Sequence, residues 1–81
     1  MKVTPYFKHV RGRPDRRLIQ DAWIEQTMRS PEARQVQSDG RIRLWKRISE
    51  AEGRWLRVLL LQDGETVHNT FFDRRFKGGQ G

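Results

Sequence analysis

His9 and His68 are the chain's only histidines, and its most abundant cation is arginine. Histidine exchanges protons near neutral pH, and arginine grips phosphate through charge-assisted hydrogen bonds. Together they meet the needs of RNA cleavage without a metal. A base takes the proton of the attacking 2′-hydroxyl, an acid protonates the leaving oxygen, and a cation stabilises the phosphorane. The stretch from Arg54 to Phe72, RWLRVLLLQDGETVHNTFF, offers such a set within one hairpin. Asp63-Gly64 between two apolar runs signals a two-residue type I′ turn. That turn sets Leu60 against Val67, Leu59 against His68, Val58 against Asn69, Arg57 against Thr70 and Leu56 against Phe71. His68 and Arg57 then lie diagonally on one face of adjacent strands. His68 is the candidate acid or base, Arg57 the candidate phosphate stabiliser and Thr70 the group that orients the phosphate. His9, Arg74 and Arg75 are candidates for the second proton role or for holding substrate. The plainer readings are a half-exposed His68 packed on Leu59 and an Arg57 paired with an acid across the sheet.

Charge points the same way. Lysine and arginine number 17 against 10 acids, a net charge of +7, and 13 of the 17 are arginine. Such an excess, interleaved with aromatics, suits nucleic acid or an acidic protein partner. Arg11, Arg13, Arg43, Trp45, Arg47, Trp55, Arg74 and Arg75 are the candidate nucleic-acid contacts. The segment HVRGRPDRR reads either as a phosphate clamp leading into a helix or as a solvated charge run. Without cysteine there is no thiolate metal site, and neither a metal-ligand spacing nor a phosphate-binding glycine loop occurs. No cofactor is therefore expected. The longest apolar run, Val58 to Leu61, is far too short to span a bilayer, and the N-terminus lacks a signal-peptide core. The expectation is a cytoplasmic protein with no membrane partner.

The elements that must position these residues follow from periodicity. Residues 1–8 read as extended, with Pro5 favouring an edge or a turn. Leu18 with Ala22 and Ile19 with Trp23 are four apart, predicting an amphipathic helix from Pro14 to Arg29 that stops at Ser30-Pro31. Arg34 to Gln37 reads as a short strand, and Ser38-Asp39-Gly40 as a turn. Arg41 to Ile48 alternates as a strand. A five-residue loop, Ser49 to Gly53, places Leu44 opposite Val58 and Trp45 opposite Arg57 and so aligns the apolar faces. One face then carries Ile42, Leu44, Leu56, Val58, Leu60, Val67 and Phe71 under the helix. The other carries Arg43, Trp45, Arg47, Trp55, Arg57, His68, Thr70 and Phe72. The fold class is α+β, with one main helix packed on one face of a three- to four-stranded antiparallel β-meander. Residues 1–77 form a single domain and residues 78–81 a disordered tail.

Several short stretches resemble the RelE/BrnT ribonuclease toxin superfamily, in particular small bacterial toxin-like domains related to BrnT. They are His9 with Arg11 and Arg13, Ile19, the Asp39-Gly40-Arg41 turn, Leu56-Arg57-Val58 and Thr66-Val67-His68-Asn69-Thr70-Phe71-Phe72. The resemblance spans most of residues 6–75. It implies a helix layer on a twisted antiparallel sheet, metal-independent RNA cleavage on the other side, and a cognate acidic antitoxin. The reading is an RNA-binding, RNA-cleaving toxin-like protein of a toxin–antitoxin pair. The alternatives are a non-catalytic nucleic-acid-binding module and an inactive toxin-like domain that binds an acidic protein.

Overall fold

The computed structural model describes residues 1–78. Helices α1 (Pro5–Val10) and α2 (Asp21–Arg29) precede four strands, β1 (Ala33–Val36), β2 (Ile42–Ile48), β3 (Arg54–Leu60) and β4 (Val67–Phe72). The strands form one antiparallel sheet in the order β1-β2-β3-β4. The fold is thus α+β, and the helix layer has two members where the sequence predicts one.

Thr4 and Pro5 explain the first helix. The Thr4 hydroxyl accepts from the Phe7 N–H at 3.0 Å, and Pro5 occupies the opening turn, where a missing N–H costs nothing. Of the stretch expected to be extended, Val3 forms a parallel bridge beside Val67 and Thr4 is extended as the helix cap, while Pro5 to Lys8 are helical. The second helix starts at Asp21, seven residues after Pro14. From Arg13 to Ile19 the chain runs through tight turns, with the Arg16 and Arg17 N–H groups both donating to the Arg13 carbonyl at 2.9 Å. Short helices depend on a buried face, and Pro14 to Leu18 offers none: Leu18 is 78% exposed. Ile19, Trp23, Ile24 and Thr27 are buried instead, and Ala22 faces solvent.

The helix-covered face of the sheet matches expectation in β2 and β3. Leu44 lies opposite Val58 and Trp45 opposite Arg57. The connecting loop has its five residues, with Glu52 and Gly53 at φ 62° and 72°. Phe7, Val10, Ile19, Trp23 and Ile24 close over Ile42, Leu44, Ile48, Leu56, Val58, Leu60 and Val67 in one core.

Strand β4 departs from its expected register. Leu60 pairs with Val67 as predicted, but Leu59 then pairs with Asn69, Val58 with Thr70, Arg57 with Phe71 and Leu56 with Phe72. His68 is the extra residue of a β-bulge. Every side chain beyond it changes face. Thr70 and Phe72 turn toward the helices, and Asn69 and Phe71 turn outward, so Phe71 is not part of the core. The N-terminal segment fixes the bulge. The Val67 N–H donates to the Lys2 carbonyl at 2.8 Å, and the Thr4 N–H to the Val67 carbonyl at 3.1 Å. The hairpin turn also differs from type I′, since Gly64 has φ 71° while Asp63 stays out of the left-handed region. The Asp63 carboxylate instead accepts from the Glu65 and Thr66 N–H groups and the Thr66 hydroxyl. Those bonds lower its pKa to about 2.

Beyond β4 the chain folds back across the outer face of the sheet, starting with an Asp73 N–H bond to the Trp55 carbonyl at 2.8 Å. Gly78 has φ 54° and lies so close to Trp55 that a Cβ there would clash with the ring. The remainder of the expected tail, 79–81, falls outside the described residues. No helix among those described is long and apolar enough to cross a membrane.

Candidate nucleic-acid interface

Alternation along β2 and β3 presents Arg43, Trp45, Arg47, Trp55 and Arg57 on the outer face. Arg57 is at the centre. Its guanidinium lies 3.8 Å from Asp73, 5.7 Å from the Trp45 ring centre and 5.1 Å from that of Phe71. Its Nε is buried with no hydrogen-bond partner among the described residues. Burial and the neighbouring Arg43 charge lower the Arg57 pKa against the opposing pull of Asp73. For Asp73, burial pushes the pKa up. The Trp45 indole, the Arg75 N–H, Arg57 and the Phe76 N–H outweigh it and hold the carboxyl below its usual range. The Trp45 Nε1–H donates to Asp73 at 3.0 Å. The expected cross-strand acid partner of Arg57 therefore comes from the segment after β4.

The structure separates His68 from Arg57. The bulge turns His68 toward the N-terminal segment, where Nδ1 lies 3.0 Å from the Thr4 hydroxyl and the ring stacks on Tyr6 at 4.9 Å. The same hydroxyl also accepts from the Phe7 N–H, so it ties His68 to the start of α1. Thr70 is buried, and its hydroxyl donates to the Arg57 carbonyl at 2.8 Å, so it is not free to orient a phosphate. His9 is exposed on α1. The expected convergence of His68, Arg57 and Thr70 on one phosphate is absent, because the one-residue shift turns Thr70 to the helix-covered face and the bulge engages His68 with Thr4 and Tyr6.

The candidate binding residues are scattered. Arg11 pairs with Asp21 and lies over Phe7. Arg13 is exposed. Arg43 donates to the Gln35 amide oxygen at 3.1 Å, and Arg47 to the Gly53 carbonyl at 3.1 Å while lying over Trp55. Trp45 is 7% exposed because the chain covers it: Phe76 stacks on its ring at 4.6 Å and 9°, and meets Trp55 edge-on at 4.9 Å. Arg74 and Arg75 are exposed on the same segment.

The main cavity opens beside this cluster, a groove of about 730 Å³ between the Pro14–Leu18 turns, the start of β3 and the segment after β4. Trp55, Phe71, Phe72 and Phe76 supply its aromatic lining, and Arg16, Arg54 and Arg74 its positive charge. Arg16 donates to the Thr70 carbonyl at 3.2 Å and lies over Phe71, while Arg54 lies 4.1 Å from the Phe72 ring centre. The two acids in the lining already have partners: Asp15 pairs with Arg16, and Asp73 serves Trp45 and Arg57. Neither histidine lines the groove. Such a site can stack a planar base and pair its phosphate, and it contains no side chain suited to move a proton at neutral pH. Arg54 and Phe76 are the residues that the strand pattern overlooks. Arg54 lies at the end of the apolar face, where a strand meets solvent, and that position was its only signal. Among the described residues no cluster of three or more His, Asp or Glu side chains is placed to hold a metal. Compared with protein-family models, curated proteins and solved structures, the chain matches none.

Proposed function

We propose that this protein is a non-catalytic RNA-binding module that takes single-stranded RNA into the groove beside β4. The observation that carries the reading is the pairing of Arg16, Arg54 and Arg74 with the aromatic rings of Trp55, Phe71 and Phe72 along one groove. Aromatic faces accept any base, and arginine rims follow the backbone, which is how single strands are held without sequence readout. The net charge of +7 adds long-range attraction. The resemblance to RelE/BrnT toxins fits a toxin-derived module in a cytoplasmic setting. The separation of His68 from Arg57 favours binding over cleavage.

Fluorescence anisotropy with a short labelled single-stranded RNA tests it. Affinity is expected to fall steeply between about 50 and 200 mM salt, and Arg54→Gln and Arg74→Gln are each expected to reduce the slope by about 0.7. RNA is expected to remain intact throughout. An affinity insensitive to salt and to both substitutions would remove the groove as the site. Cleavage abolished by His68→Ala would restore an enzyme.

A further inference from the structure

Phe76 covers the ring face of Trp45. It lies parallel to Trp45 at 4.6 Å and 9°, a geometry that a nucleobase adopts on an aromatic side chain, and its edge meets Trp55. The segment that carries it is neither helix nor strand, and its neighbours Arg74, Arg75 and Lys77 are exposed. Asp73 anchors the near end through Trp45, Arg57 and the Trp55 carbonyl. Release of the segment after Asp73 would give up the Phe76 stack and the approach of Gly78 to Trp55, while the core cluster lies on the opposite face of the sheet. Swinging away would leave Trp45 bare beside Arg57 and the groove, with three cations on the released segment.

From this arrangement we infer that Phe76 is an internal stand-in for a nucleobase, which single-stranded RNA displaces from Trp45. The inference rests on the RNA-binding reading above. Phe76 lines the groove and also closes the Trp45 platform, so its movement extends the groove onto the outer face. The segment then acts as a built-in competitor that weakens binding by the value of one aromatic stack. Its cations remain attached and meet the incoming backbone.

The test compares wild type with Phe76→Ala, using a short oligoadenylate and, separately, inorganic polyphosphate, which has charge but no bases. The variant is expected to bind oligoadenylate about two- to tenfold tighter, the range set by one aromatic pair. Polyphosphate affinity is expected to stay unchanged, and the Trp45 indole N–H resonance is expected to shift on RNA addition to either protein. Phe76→Leu keeps apolar volume but loses the ring face, and it carries the same comparison should the alanine variant lose cooperative unfolding. Equal or weaker oligoadenylate binding by the variants overturns the inference, as does an equal gain for polyphosphate; RNA binding by wild type then still upholds the module. Failure of wild type and both variants to bind RNA overturns both.

Discussion

Arg57 shows how one residue's role depends on what covers it. An arginine in the middle of a sheet face reads as a phosphate ligand when the face is open. Here Trp45, Phe71 and Asp73 enclose it, with side-chain exposure of 21% for Arg57 and 13% for Asp73. The pair is asymmetric. Removing the carboxylate leaves a desolvated cation and an unbonded indole N–H, whereas removing the cation leaves Asp73 its bonds from Trp45 and the Arg75 N–H. Asp73→Ala is therefore expected to cost about 1–3 kcal/mol. Arg57→Met keeps most of the packing of the long side chain and is expected to cost less. Urea unfolding midpoints of the two variants provide the comparison, and a larger loss for Arg57→Met would show that the cation itself holds the segment down.

The bulge in β4 sets which residues meet, and it is a property of the element. Deleting His68 removes the extra residue, so Asn69, Thr70, Phe71 and Phe72 keep their observed faces. The loss is the Thr4 hydrogen bond and the Tyr6 stack, together about 1–2 kcal/mol. Deleting Phe71 instead moves Phe72 outward and brings Asp73 into the position under the helices, a buried carboxylate. Thermal melts should show cooperative unfolding for the first deletion and none for the second. The same bulge marks where the sequence stops being legible. The β2–β3 hairpin follows from alternation and loop length, both local, and its register is readable to the residue. The β4 register depends on Lys2, Val3 and Thr4, which pair beside Val67 from the far end of the chain. No pattern within 54–72 carries that information. Thr4-Pro5 does carry the signature of a helix start, but six residues show too little periodicity to outweigh a proline read as an edge. The groove was hidden for the same reason as the bulge, since three segments remote in sequence build it.

At the scale of the whole molecule, charge and stability are coupled through few carboxylates. All 10 acids work against 17 permanent cations, so each proton taken up on acidification adds to an existing excess. Two of the acids have lowered pKa values. Asp63 is held at about 2, against 3.8 ordinarily, by the Thr66 hydroxyl and the backbone N–H groups of Glu65 and Thr66. Asp73 is held below its usual range despite burial. A carboxyl with a depressed native pKa stabilises the fold fully above its unfolded pKa and loses that contribution as pH falls toward the native value. For Asp63 the window runs from 3.8 down to about 2. The unfolding midpoint should therefore be flat above the upper limit and fall through that window. Asp63→Ala should be less stable than wild type at neutral pH and should lose less further stability on acidification, with the two curves converging at the acid end. Added sodium chloride should raise both acid branches by screening the cations without moving the window. Denaturation followed by circular dichroism across this pH range measures all three. Parallel curves for wild type and Asp63→Ala would show that the Asp63 turn does not contribute to the pH dependence and that the charge excess alone drives acid unfolding.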